Sequence, residues 1–394
     1  MRKFKFGILT IFSLFLIQFT HVYAQPSPSK LKIAIFAPLY LDSAFNYDNE
    51  YRFSKNIFPK FLNPGVEFYE GIQLAIDSLN KDKAQLEVFI YDTKSSKQTL
   101  QQQLQKPELQ QISMMIVHCN SLEIKLFADA GLAKNIPVIN VNLPNDGGTI
   151  GNPFFVLLNP TLRTQCEGIY QYVQKTFHNQ PVVVFRKKGQ LEDRIKSYIE
   201  EYAKNKMGSQ LRLKYVDLAD SFSVSQIRTH LDTTQQTVCI AGSLDEDFGK
   251  RLVLQLNTLK KQQYESVIMG MPTWDGISFT KPEYKGVDII FSTPFYHSKT
   301  DKISSSLTAQ FNKKMFARPS DMVFRGYEVM MRFSKMGLIY GKDIASNLAN
   351  KHTKIFTDFD IKPVLNPQQM TLDYFENKKL YFLKWQDGSL SQVF

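Results

Sequence analysis

The 394 residues, 43% hydrophobic and 22% charged, suffice for two globular domains and exclude both a disordered chain and a small disulfide scaffold. Lys and Arg outnumber Asp and Glu by 48 to 37, a formal net charge of +11, but the lysines are spread along the chain. Without a compact basic stripe and stacking aromatics, nucleic acid is excluded as a partner. Three cysteines, Cys119, Cys166 and Cys239, lack metal-ligand spacing, so no zinc site and no cofactor is expected; any pairing among them stays open.

In chain order, the sequence begins with Arg2, Lys3 and Lys5, an uncharged apolar run from Gly7 to Phe19, and small residues placed for a peptidase in Val22-Tyr23-Ala24. That is the pattern of a signal peptide over residues 1–24, with cleavage expected before Gln25. The run is shorter than the ~20 residues that span a bilayer, and no cysteine follows it to take a lipid. The expected product is exported, periplasmic or otherwise, and soluble.

Leu31 to Leu39 is a compact apolar strand. After Pro64-Gly65, residues Phe68, Ile72, Ala75, Ile76 and Leu79 recur at helical spacing. Strands follow at 86–91, 112–117 and 136–141, separated by a Gln-rich helix over Lys97–Gln111 and a helix over Ser121–Lys134. A glycine-bearing loop (Asn145, Asp146, Gly147, Gly148, Gly151) breaks the rhythm before a short strand at Phe154–Leu158. The alternation then restarts with helices at 161–176, 191–205, 223–231 and 246–261 between strands at 181–185, 211–218 and 237–241. Two further strands, 267–271 and 287–292, precede long helices at 304–316 and 322–339. In the tail, Thr371–Phe375 and Leu380–Trp385 read as a hairpin, and Asp387-Gly388 as a further turn. Such repetition of strand and helix gives parallel sheets with helices on both faces, in two lobes.

One connection is out of scale. Asp42 to Asn63 joins the first strand to the first helix, where about 2–6 residues are usual, and it holds Phe45, Tyr47, Tyr51, Phe53, Phe58 and Phe61. It reads either as a surface Ω-loop packed by its own aromatics or as a flap over a cleft at the carboxyl end of a sheet.

No catalytic pattern stands out. The chain has no phosphate loop, nucleophile elbow or paired-histidine metal helix, and Asp146-Gly147-Gly148 does not open a helix after a strand. His118 and Cys119 are adjacent on a strand and point to opposite faces, so they do not read as a catalytic pair. An enzyme is not expected.

The order of parts resembles the type I periplasmic binding proteins, in particular the branched-chain amino-acid-binding family of ABC importers. Lys32-Ile33-Ala34-Ile35-Phe36-Ala37-Pro38-Leu39 is similar to the family's opening strand, and Gly71-Ile72-Gln73-Leu74-Ala75-Ile76 to its first helix. Ile116-Val117-His118-Cys119-Asn120-Ser121 resembles its third strand and ligand loop, and Leu380 to Trp385 with Asp387-Gly388 its closing hairpin. The resemblance implies an α/β fold of two doubly wound lobes joined by a three-crossing hinge. Lobe one would take 31–153 plus 275–350, and lobe two 154–274 plus 351–394.

It also implies a ligand between the lobes, held at the loop after the third strand, where unpaired N–H groups at a helix start favour an anion. Asn120 and Ser121 occupy that loop, although Ser121 also reads as a plain helix N-cap. The second family contact falls on Asn140 and Asn142, where amino-acid binders show small and hydroxyl residues; this departure puts an amino-acid ligand in doubt. Gly189-Gln190-Leu191 stands where members often clamp ligand with Tyr-Gly. Trp274 and Asp275 are the candidates from the second lobe, the indole as a wall and the carboxylate for a ligand ammonium; a buried hinge Trp is the alternative. Tyr40, ending the first strand, completes the set.

Three functions follow. The first is an exported solute-binding protein that takes a small polar, amino-acid-like ligand to an ABC importer permease. The second is an envelope sensor or protein-docking regulator on the same fold. The third is a glycosyltransferase-like two-domain enzyme, disfavoured because activated sugars are scarce outside the cytoplasm.

Overall fold

The computed structural model describes residues 30–206, 210–350 and 353–393; the targeting segment expected over 1–24 lies outside them. Strands β1 (Leu31–Ala37), β2 (Leu86–Asp92), β3 (Met114–Val117), β4 (Val138–Asn140) and β5 (Phe155–Leu157) build a first sheet. Strands β6 (Val182–Arg186), β7 (Leu213–Asp217), β8 (Thr237–Ala241), β9 (Ser266–Gly270) and β10 (Asp288–Thr293) build a second. The tail divides: β11 (Ile361–Leu365) and β12 (Leu372–Asn377) complete the first sheet, β13 (Tyr381–Gln386) and β14 (Ser389–Gln392) the second. The orders are β11-β12-β5-β4-β3-β1-β2 and β14-β13-β10-β9-β8-β6-β7. β1 to β5 and β6 to β10 pair in parallel within their sheets. Their carboxyl ends therefore share one edge of each sheet.

The apolar runs explain why these strands are central. In β1, Ile33, Ile35 and Ala37 enter the core on one face, and Ala34 and Phe36 the core on the other. A strand buried on both faces must be apolar throughout, which is why it reads as a continuous run. The larger helices are α1 (Asn63–Lys81), α2 (Ile124–Lys134), α3 (Leu162–Thr176), α4 (Gln190–Asn205), α5 (Glu246–Lys260), α6 (Lys302–Met315) and α7 (Asp321–Tyr340). Each of the four apolar clusters lies on a face of one sheet, and none joins the two sheets. The fold is that of two α/β lobes, as the resemblance implies.

The chain passes from one sheet to the other three times: between β5 and β6, after β10, and between β12 and β13. Strand pairing differs from the expected lobe limits at three places. β5 pairs with β4 in the first sheet, β10 pairs with β9 in the second, and β11 and β12 join the first. The expected hairpin of Thr371–Phe375 with Leu380–Trp385 does not form. β12 pairs with β11 and β5, while β13 pairs with β10 and β14, and the intervening residues are the third crossing. Two adjacent apolar strands look the same locally whether they pair or part. Here Asn377, fully buried, holds the crossing: Oδ1 accepts from the amides of Asp360 (2.9 Å) and Lys379 (3.1 Å), and Nδ2 donates to the Leu158 carbonyl (3.1 Å). The Asp387-Gly388 turn joins β13 to β14 as expected.

Other departures are local. The Gln-rich helix shrinks to Leu100–Leu104 and a separate 3-10 turn at Pro107–Gln110, because a proline ends the hydrogen-bond ladder between them. β11 was not among the expected strands; its Pro363 cannot donate to a ladder, and the strand sits at the sheet edge, where that is tolerated. Cys119, Cys166 and Cys239 are buried free thiols.

Candidate functional site

The loops at the carboxyl edges of the two sheets, with the first two crossings, enclose two neighbouring cavities. The inner one, of about 360 Å³, is lined from the first sheet's side by Pro144, Asn159 and Arg325, and from the second's by Gln165, Thr273 and Asp275. The outer one, of about 320 Å³, has Tyr296, His297, Phe324, Glu328 and Trp385 in its walls. Asp275, Phe295 and Arg325 border both. Open α/β sheets bind ligands in this kind of crevice, outside the carboxyl ends of strands.

Arg325 projects from the second turn of α7, a helix started by Ser320, whose Oγ accepts from the amides of Met322 (3.2 Å) and Val323 (3.4 Å). Its guanidinium lies over the Phe295 ring, 3.5 Å from the centroid. Nε is sealed from solvent without a hydrogen-bond partner, and among the described residues no carboxylate forms an ion pair with this side chain. Burial lowers its pKa to about 10, against the pull of Asp275, Asp321 and Glu328, so it remains a cation at neutral pH.

Asp275 faces it from the 3-10 turn Pro272–Gly276 that follows β9. Its Oδ2 accepts from Thr293 Oγ1 at 3.0 Å. Solvent reaches the residue, yet the walls around it strip enough water to raise its pKa; the Thr293 bond and the charge of Arg325 act the other way. Gln165, buried on α3, accepts from Ser292 Oγ at 2.8 Å through Oε1, which leaves its NH2 group without a protein partner among the described residues. The cavities thus present a cation, an anion and an amide donor between apolar walls. That set can orient a small zwitterion.

Of the residues singled out in the sequence, Asp275 alone borders these cavities. Trp274 does not face the gap. It is fully buried in the second lobe, wedged where Gly270 and Gly249 have no side chain, with Phe279 at 5.4 Å between ring centroids. A Cβ on Gly270 would sit 2.0 Å from the indole, so the glycine makes the seat and the Trp fills it.

Asn140 is fully buried and closes its own turn, Oδ1 accepting from the amides of Asn142 (3.3 Å) and Leu143 (3.2 Å) and Nδ2 donating to the Leu143 carbonyl (3.0 Å). Asn142 pairs with the Cys119 backbone in both directions, at 3.0 and 2.8 Å, and so fastens the loop after β4 to the loop after β3. Asn120 is exposed and closes the turn that precedes the helix, its Oδ1 accepting from the amides of Leu122 (2.9 Å) and Glu123 (3.1 Å). Ser121 is exposed and does not cap it, since α2 begins only at Ile124. Tyr40 has a left-handed backbone (φ 55°) and stacks edge-on against Phe61 at 5.1 Å. The three asparagines thus spend their side chains on the protein's own backbone.

His118 and Cys119 are both buried. Burial holds the imidazole down to about 4 and pushes the thiol up to about 12, so neither a thiolate nor a good base is present at neutral pH. Among the described residues no group of three or more His, Cys, Asp or Glu is placed to hold a metal ion.

Sequence reasoning missed Arg325, Phe295 and Gln165. A signal for the first existed: Arg325, Glu328 and Arg332 recur at helical spacing inside a largely apolar helix, and charges are seldom buried without a partner or a purpose. Phe295 and Gln165 had no such mark.

No curated protein matches the chain. Among solved structures, it is similar to a branched-chain amino acid ABC transporter periplasmic ligand-binding protein from Burkholderia xenovorans. That match has 12% identity and a TM-score of 0.57, covering 93% of this chain and 95% of that one. It is also similar to an ABC transporter substrate-binding protein from Desulfitobacterium hafniense in complex with Leu, at 12% identity and a TM-score of 0.54, covering 93% and 100%. A third is the branched-chain amino acid transporter substrate binding protein from Streptococcus pneumoniae in complex with isoleucine, at 14% identity and 0.51, covering 93% and 99%. At these identities the likeness is one of fold. The family model described as periplasmic binding protein matches residues 63–336, a stretch that holds Asp275, Phe295 and Arg325 and most of both lobes. On that match, the chain belongs to the periplasmic binding protein family.

Proposed function

We propose that this chain is an exported, periplasmic solute-binding protein that closes its lobes on a small zwitterionic, amino-acid-like ligand and delivers it to an ABC importer permease. It does no chemistry on that ligand. The observation that carries the reading is Arg325: a cation stacked on Phe295 and walled by the cavities, with no anion of its own. An unpaired, partly desolvated charge destabilises the ligand-free protein, and a ligand carboxylate would relieve it through charge-assisted hydrogen bonds. Asp275 would take the ligand ammonium, and the Gln165 amide would donate to a remaining carboxylate oxygen. The prolines and Leu244 of the inner cavity leave room for an apolar side chain. Leucine and isoleucine, the ligands in two structures of the same fold, are the first solutes to try.

A sensing or protein-docking role on the same fold is the second reading. What favours it is Asn142, whose amide is spent on the Cys119 backbone at the place where importer proteins hold ligand.

A thermal-shift screen with free amino acids, small peptides and sugars tests both. A ligand at 100 times its Kd should stabilise the protein by ~2.7 kcal/mol. In Arg325→Met, affinity at least about tenfold weaker should cut that shift to about half or less at the same ligand concentration, while the ligand-free variant melts no lower than the parent because no ion pair is broken. Full affinity in Arg325→Met would remove the residue from the site, and silence across the screen would favour the sensing role.

A further inference from the structure

The long connection after β1 is unused by the site above. It is folded on itself rather than loose. Phe45 and Tyr51 form a β-bridge, the Arg52 amide donates to the Ala44 carbonyl at 2.9 Å, and Tyr51 Oη donates to the Ile57 carbonyl at 2.8 Å. An aromatic ladder runs Phe45–Tyr51–Phe53–Phe61–Tyr40, with ring centroids 5.7, 5.6, 6.4 and 5.1 Å apart. The ladder holds the segment's shape but leaves other apolar side chains outside: Tyr47 is 89% exposed, Ile57 56% and Phe58 55%.

Charge is divided within the same segment: the exposed carboxylates of Asp48 and Glu50 lie beside Tyr47 in its first half, and the basic residues follow in its second. Arg52 to Phe61 reads Arg-Phe-Ser-Lys-Asn-Ile-Phe-Pro-Lys-Phe, with three basic residues and no acidic one. Arg52, Lys55 and Lys60 are exposed, and among the described residues no carboxylate pairs with any of them. Asp42 is turned away, its carboxylate bonded to Ser95, Ser96 and Lys97. Because β1 is parallel to its neighbours, the segment stands on the same edge of the first sheet as the loops that border the cleft. Leu122, 88% exposed in the loop after β3, stands on that edge too.

We propose that the stretch from Arg52 to Phe61 is a membrane-docking surface that seats on anionic phospholipid. Lys55 and Lys60 would meet lipid phosphates, while Ile57 and Phe58 enter the boundary between headgroups and acyl chains. Cations interleaved with aromatic and branched apolar side chains are what this interface accepts. The formal charge from Gln25 onward, +8 once Arg2, Lys3 and Lys5 are taken from the total of +11, works in the same direction at longer range.

Co-sedimentation of the chain beginning at Gln25 tests this without a ligand. It keeps every described residue and both sheets but lacks the apolar run Gly7–Phe19. Phosphatidylglycerol–phosphatidylcholine vesicles should retain it, and phosphatidylcholine vesicles should retain it far less. Ile57→Ser with Phe58→Ser, and separately Lys55→Glu with Lys60→Glu, should each weaken retention at least about tenfold. All four residues are exposed, so melting should not change; if a double variant does melt early, Phe58→Ser alone probes the same contact with a single exposed side chain. Retention that survives in both variants would trace to general positive charge and overturn the proposal. Equal retention on both lipids overturns it as well. No retention on either would assign the surface to a protein partner instead.

Discussion

Asp275 and Arg325 carry opposite charges at the junction of the two cavities, and burial penalises both. For Asp275 the consequence is a pH dependence with a definite sign. Its carboxyl pKa in the ligand-free site lies above the ordinary 3.8, and a bound ammonium would favour the carboxylate. Binding therefore expels a proton at low pH. Affinity for an amino acid should be full near neutrality and fall on acidification at a higher pH than an ordinary Asp would give; Asp275→Asn should flatten that profile in calorimetric titrations. The ligand-free protein behaves oppositely: a raised folded pKa means that stability from this group is lost as pH rises through it. Trp274 belongs to a different account. Trp274→Ala should leave a cavity beside Gly270 and Gly249 and lower stability by about 3–5 kcal/mol in urea unfolding. If stability held and ligand affinity alone fell, the indole would have to be returned to the site.

At the scale of elements, α1 and α7 set where Arg325 stands. They cross through a pair of glycines: a Cβ on Gly71 would sit 2.0 Å from the Val323 carbonyl oxygen, and one on Gly326 would sit 2.2 Å from that of Phe68. The neighbour of Gly326 in sequence is Arg325, so the crossing and the cation are positioned together. Gly326→Ala must push backbone against backbone, with an expected cost of about 1–3 kcal/mol or more. It should also weaken amino-acid binding, seen by titration, although residue 326 touches no ligand. One turn further on, Glu328 accepts from the amides of Phe356 (2.9 Å) and Thr357 (2.6 Å) and from Thr357 Oγ1 (2.7 Å), and so ties α7 to the stretch that leads into β11. This buried carboxylate is spent on structure even though it borders the outer cavity.

For the molecule as a whole, the three crossings decide what motion is open to it. Separate cores on each sheet mean that the lobes can move as rigid bodies, and three connections permit bending while they resist twisting. Closure on ligand should reduce the radius of gyration in small-angle scattering when leucine or another solute found in the screen is added. The reduction should be absent in Arg325→Met at the same concentration. An unchanged radius at saturating ligand would mean that the lobes do not close.

Much of this was legible in the residues. Apolar strands alternating with amphipathic helices determined two α/β lobes, since a strand buried on both faces must be apolar throughout and a helix packed on a sheet must show one apolar stripe. The tail and the site were not. Whether β12 pairs with β13 or parts from it depends on Asn377 and on which sheet has an open edge, and neither acts over a few residues. The asparagines at 120, 140 and 142 carry the same polar groups whether they meet ligand or backbone, so their positions could be found and their partners could not. Arg325 comes to face Asp275 only through the packing of α7 on α1 and the return of the chain after β10. Periodicity is local and reports burial; the meeting of two charges from opposite lobes is set by long-range packing alone.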